Sequence, residues 1–169
     1  MQFVGLVAAY AGTALPKGVK DTGANALIKA WKKITQPYQG GVATNFSMPS
    51  STEFFRENEA DPFYSVVDAA SATKELTWEV ADMDEETMAF YFGETEPEEG
   101  KIYEGESGFA FVSKSGMTLA FARLKYTAIL TGSMNSTEPL RISVSAKVLA
   151  PAQGGAAWWP LEGDLFAAA

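Results

Sequence analysis

Hydrophobic and polar positions change period several times along this chain, and each change marks an expected element. Residues 1–10 hold an apolar run that reads as a strand or arm, closed by Gly12 and Pro16. Over 24–34, Leu27, Ile28, Trp31 and Ile34 recur at helical spacing in a segment that Pro37 soon ends, consistent with a short helix or an extended arm. Residues 42–48 alternate, Val42, Thr44, Phe46 and Met48 against Ala43, Asn45 and Ser47, which predicts a strand between Gly40-Gly41 and the turn signal Pro49-Ser50-Ser51. Residues 53–64 read as an acidic loop with four aromatics, Phe54, Phe55, Phe63 and Tyr64. That many rings in a charged loop suggest a segment that packs onto something.

A strand follows at 73–81, with Leu76, Trp78 and Val80 inward and Glu75, Thr77 and Glu79 outward. Asp82-Met83-Asp84-Glu85-Glu86 then opens a helix over about 83–92. Asp82 is the expected N-cap with Glu85 three residues on, Met88, Tyr91 and Phe92 form the buried stripe, and Gly93 is the C′ residue. These carboxylates lack the glycine and distal glutamate of a calcium loop, so capping explains them better than a cation does. After an acidic, glycine-rich loop at 94–108, strands are expected at 109–113, 118–130 and 140–149, the last two joined by a hairpin-like connection at 132–136. The tail carries Trp158, Trp159 and Phe166, which would be an aggregation liability if left bare, so it is expected to dock, onto a neighbouring subunit in particular. The whole reads as one domain, 1–169, with an N-terminal arm (about 1–40) and a C-terminal arm (about 151–169). The fold expected is a mainly β, two-sheet antiparallel sandwich or partial barrel with one flanking helix.

Composition narrows the chemistry. Among 169 residues there is no cysteine and no histidine. Disulfides, thiolate metal sites, cysteine nucleophiles and histidine general bases are excluded, and with them the Ser-His-Asp and Cys-His mechanisms. Carboxylates, lysine, tyrosine, serine and threonine remain for chemistry, so the composition leans toward a binding or structural protein, with no cofactor or metal expected. No apolar stretch approaches a bilayer span, and no lysine or arginine precedes the N-terminal apolar run as a signal peptide would require.

The net charge of −8 is segregated. Between Glu53 and Glu106 stand 17 acids and the three bases Arg56, Lys74 and Lys101, a net of −14; the remaining 4 acids and 10 bases give +6. Such a chain offers a solvated acidic face, an acidic surface that meets a basic one on another copy, or acids that point at a polyanion and repel it so that it does not stick. Direct nucleic-acid binding is disfavoured, because binders present basic patches for counterion release.

The order of elements resembles the major tail tube proteins of long-tailed bacteriophages. The resemblance covers about Val42 to Pro151: the acidic aromatic loop, the alternating strand Lys74–Val80, the acidic helix ending in Gly93, and the late strand running to Ala150-Pro151. It implies a virion protein without enzymatic activity, assembling as stacked hexameric rings into a tube. Its partners would be other copies of itself, a tape-measure protein and tail-tip or terminator proteins. Double-stranded DNA would pass through without specific binding. Glu75, Thr77 and Glu79 are then expected to face the lumen, unless Glu75 and Glu79 instead pair with Arg141 and Lys147 on a neighbouring strand. Phe54, Phe55, Phe63, Tyr64, Trp158, Trp159 and Phe166 are expected between subunits. Rival readings are a carbohydrate-binding β-sandwich using Trp31, Trp78, Trp158 and Trp159, a carboxylate-only glycosidase, and the inner tube of a contractile tail or secretion apparatus.

Overall fold

The computed structural model describes residues 5–38, 41–68, 72–93, 98, 101–131 and 140–167. Its elements run β1 (Leu6–Gly12), α1 (Ala24–Lys29), β2 (Lys32–Ile34), β3 (Ala43–Phe46), β4 (Ser50–Phe54), β5 (Tyr64–Asp68), β6 (Lys74–Val80), α2 (Glu85–Phe92), β7 (Tyr103–Ser113), β8 (Met117–Thr131), β9 (Arg141–Val148) and β10 (Trp158–Glu162). The fold is mainly β and antiparallel, as its alternating segments dictate. Eight strands form one sheet in the order β2-β1-β7-β8-β9-β6-β3, with β10 also on β8, while β4 and β5 form a separate two-stranded sheet.

The large sheet curls over its own apolar face. β6 stands three hydrogen-bonded steps from β7, about 14 Å on a flat sheet. Yet the Trp78 ring lies edge-on to Phe109 and Phe111, at centroid distances of 5.4 and 5.8 Å. Phe46 of β3 likewise meets Trp158 of β10 at 5.0 Å. The inner faces therefore enclose one core, in which Leu76, Val80, Phe109, Phe121, Leu124, Ile142 and Ala146 are wholly buried. Among the described residues the sheet does not close into a barrel. A bulge helps the bend: Ala122 and Arg123 of β8 together oppose Gly108, between the pairs Ser107–Leu124 and Phe109–Phe121.

The reverse face of β1, β7 and β8 is covered by the segment between β1 and β2. There Leu15, Val19, Ala24, Ile28 and Trp31 pack on Ala110, Ala120 and Ala122, with Leu161, Leu165 and Phe166 from the tail beside them. Helix α2 caps one end of the curled sheet. Its N-cap is Asp84, whose Oδ1 accepts from Thr87 N at 2.7 Å, two residues beyond the expected Asp82. Gly93 closes it in the left-handed region at φ 72°, where a Cβ would be strained. Inside, Trp78 Nε1 donates to the Tyr91 hydroxyl at 3.1 Å, and the Tyr126 hydroxyl donates to the Phe90 carbonyl at 3.1 Å.

Several expectations need correction. Residues 24–34 form both a short helix and an edge strand. The stretch 53–64 is the end of a β-hairpin, and Ser50-Ser51 lie within β4, where a turn was expected. β7 begins at Tyr103, so the last residues of the expected loop 94–108 are strand. The connection at 132–136 and most of the acidic stretch 94–100 lie outside the described residues.

Candidate assembly surfaces

The parity expected for β6 holds: Leu76, Trp78 and Val80 are buried, and Glu75, Thr77 and Glu79 lie on the opposite face. On that face the alternative pairing is the one formed. Glu75 stands directly opposite Lys147 in the β6–β9 register, with carboxylate and ammonium 3.6 Å apart. Arg141 Nη1 donates to Glu79 Oε2 at 2.7 Å. The pattern continues across the same face of β7 and β8, where Arg123 meets Glu106 at 3.1 Å and Lys125 meets Glu104 at 3.8 Å. Among the described residues of this face, four acids thus stand paired with four cations. Each pair keeps at least one partner open to solvent and contributes on the order of 1 kcal/mol or less. The β7–β8 pairs are not evident from the sequence, where Glu104 and Glu106 fall in the acidic stretch expected to be loop. The polar-apolar alternation of Arg123, Leu124, Lys125 and Tyr126 was the signal that could have found them.

The β4–β5 hairpin is the second surface. All ten strand residues are exposed. Its register places Phe54 opposite Tyr64, with ring centroids 6.0 Å apart, and Arg56 lies 5.2 Å from the Phe63 ring. Phe54, Phe55, Phe63, Tyr64, Val66 and Val67 are 44–59% exposed. The hairpin leaves the body where Ser47 N donates to the Thr73 carbonyl at 2.8 Å and Thr73 N donates to Ser47 Oγ at 2.7 Å, so its two roots are pinned together. A lone two-stranded hairpin is marginal in water, and six large apolar side chains on one make this the most exposed greasy surface described in the chain.

The tail residues divide. Trp158 is half-buried on the main core against Phe46 and Phe121, and Phe166 stacks on Tyr10 at 3.6 Å with planes 2° apart. Both are held within the chain by β10 pairing with β8 and by Thr118, whose hydroxyl donates to the Gly163 carbonyl and accepts from Leu165 N. Trp159 stays 44% exposed, with the Lys20 ammonium 3.9 Å from its ring. The tail therefore docks on its own sheet. Of the seven residues expected between subunits, the four hairpin aromatics and Trp159 remain outward. The same placement bears on a sugar-stacking platform, since Trp31 and Trp78 are buried and only Trp159 of the four tryptophans presents much surface.

Two neighbouring concavities lie at the end of the body far from the hairpin. One of about 530 Å³ is bounded by β2, the end of β1 and α2, and includes Lys32, Lys33, Asp82 and Glu86. A neighbouring cleft of about 460 Å³ shares Ala11, Gly12 and Lys32 with it and runs past Leu15, Leu27 and Trp31. No group of three or more metal-ligating side chains occurs among the described residues, nor does any helix there reach the length and apolarity needed to cross a membrane. The perturbed acid is Asp84, whose hydrogen bonds from the Thr87 side chain and backbone hold it below its ordinary value; the perturbed tyrosines, Tyr10, Tyr91 and Tyr126, are all raised by burial. These belong to a helix cap and to packed rings, which is structural work. Compared with protein-family models and with characterised proteins, the chain matches none.

Proposed function

We propose that this chain is a structural subunit that assembles with copies of itself, in the manner of the tail tube proteins it resembles: stacked hexameric rings forming a virion tube for double-stranded DNA. One observation carries the reading. The body satisfies its own core and docks both of its arms, yet it projects a hairpin whose aromatic residues stay about half exposed in the monomer. Exposed apolar surface of that kind marks a protein–protein contact. The body also ends in two edge strands, β2 and β3, that other chains could extend.

The electrostatics of the β6–β9 face support passage without adhesion. A duplex passing a face on which each cation already has a carboxylate partner finds no uncompensated positive charge to trade for its counterions. Repulsion by a purely acidic wall, the simpler expectation from Glu75 and Glu79, is not what this face offers. Tape-measure and tail-tip partners follow from the resemblance alone.

The test is negative-stain imaging and light scattering of the purified protein across a concentration series. Rings or tubes should form in the intact chain and vanish when residues 49–71 are replaced by a short Gly-Ser link. A protein that stays monomeric at the highest attainable concentration would sink the reading.

A further inference from the structure

The hairpin and the clefts lie at opposite ends of one strand. The chain approaches β6 at its Val80 end, where Tyr38 N donates to the Glu79 carbonyl at 2.7 Å, and runs down β3 beside it. It leaves at the Lys74 end to form the hairpin, then returns up β6 to Asp82 and α2. The cleft bounded by Gly12, Lys32 and Asp82 is therefore at the Val80 end, and the hairpin projects from the other. Seven strand residues separate them, about 20 Å.

Their chemistries are complementary. Residues 50–68 carry five acids (Glu53, Glu57, Glu59, Asp61, Asp68) against Arg56, a net of −4. Residues 24–34, which supply Leu27, Trp31 and Lys32 to the cleft, carry three lysines (Lys29, Lys32, Lys33) and no acid, a net of +3, while Asp82 and Glu86 stand in the adjoining concavity. Lys32 lines this cleft, Lys29 and Lys33 are exposed neighbours of it along the chain, and Leu27 is a half-exposed apolar wall. The donor surface is thus aromatic and anionic, and the acceptor is apolar and cationic.

We infer that the hairpin of one copy seats in the β1–α1–β2 cleft of the next, its aromatic rings against Leu27 and its carboxylates beside Lys29, Lys32 and Lys33. The inference rests on the self-assembly reading and adds the receptor to it. A contact between two different surfaces at opposite ends is heterologous, so it repeats without limit unless a rotation closes it. Copies joined this way stack head to tail along the β6 direction. Oppositely charged surfaces also steer the approach and fix the orientation.

Two charge-reversed variants test it: E57K/E59K/D61K in the hairpin and K29E/K32E/K33E at the cleft. All six positions are exposed, so circular dichroism and melting should match those of the parent. Each variant alone should lose more than about ten-fold in assembly, because like charges then face each other. An equimolar mixture should recover assembly as an alternating array, since each hairpin again meets a cleft of opposite sign. If each variant is blocked and the mixture stays blocked, the hairpin docks elsewhere and the inference falls while self-assembly stands. If either variant assembles like the parent, the inference also falls. If the parent itself never assembles, both readings fall together.

Discussion

Trp31 shows how single positions set the thickness of the covering layer. Gly12 and Gly108 are register partners on β1 and β7, and a Cβ at either would collide with the Trp31 indole. The indole lies across both, its Nε1 donating to the Thr13 carbonyl at 3.1 Å. Gly108→Ala should cost about 1–3 kcal/mol by overpacking, and Trp31→Ala about 3–5 kcal/mol by leaving the cleft hollow. Because the two changes share one contact, the glycine substitution should cost much less when made in the Trp31→Ala background. Urea unfolding of the four proteins checks this; strict additivity would mean that the glycine serves something other than the indole. The composition of the sequence shows these glycines, but only the register shows that they face one ring.

Tyr91 gives a prediction in pH. Burial raises its hydroxyl well above the ordinary value of 10.0, with the Trp78 hydrogen bond opposing and Tyr126 adding to the rise; Tyr126 is raised by burial as well. The native state holds these protons more tightly than the unfolded chain does. The stability gained is complete below pH 10 and is lost as pH climbs above it, because the unfolded chain ionises first. The denaturation midpoint should hold level from neutral pH to about 9 and fall beyond it. Tyr91→Phe should lower stability at neutral pH by about 1–3 kcal/mol, since Trp78 Nε1 loses its acceptor, and should soften the alkaline fall. An unchanged alkaline slope in that variant would remove Tyr91 from the account.

At the scale of elements, the hairpin and the tail behave as opposites. Every strand residue of the hairpin is exposed, and its roots are already pinned at Ser47 and Thr73. Replacing 49–71 by a short link should leave the melting temperature of the monomeric body within about 2 °C of the parent. The tail is half-buried in the fold, so Trp158→Ala should destabilise the monomer by about 2 kcal/mol, and removal of 156–169 should unsettle β8 as well as any assembly. A truncated chain that melts like the parent would contradict this. What was legible in the sequence follows the same division. β6 matches its expected span to within one residue at each end, and its facing fully, because alternate residues meet a core on one side and water on the other. The hairpin strands were missed, because exposure on both faces erases that alternation and leaves Ser, Thr and Glu to read as loop. β10 was missed because Pro160 argues against a strand, although an edge position tolerates it. The N-cap shifted by two residues because Asp82 and Asp84 are chemically equivalent candidates, and only the Thr87 hydrogen bond distinguishes them. Among the residues proposed for assembly, the aromatics could be picked out by type, but Lys32 acquires meaning only from the cleft it lines.

The whole molecule carries −8, so copies repel one another at a distance even where local surfaces attract. These two effects have different ranges, and salt separates them. At about 0.01 M the Debye length is about 30 Å, comparable with the molecule, and net repulsion acts in full. At about 0.15 M it is about 8 Å, which screens whole-molecule repulsion but leaves ion pairs at contact distance largely intact. Near 1 M it falls to about 3 Å, and exposed pairs between hairpin carboxylates and cleft lysines are screened too. Assembly at fixed protein concentration should therefore rise with sodium chloride, pass through a maximum near physiological strength, and decline toward 1 M. A contact made by the aromatic residues alone would have no declining limb, because added salt does not weaken apolar burial. The E57K/E59K/D61K variant mixed with K29E/K32E/K33E should reproduce the maximum, since it restores the same pairs with signs exchanged. Light scattering across the salt series reads both limbs, and a curve that climbs without turning would assign the hairpin to a purely apolar seat.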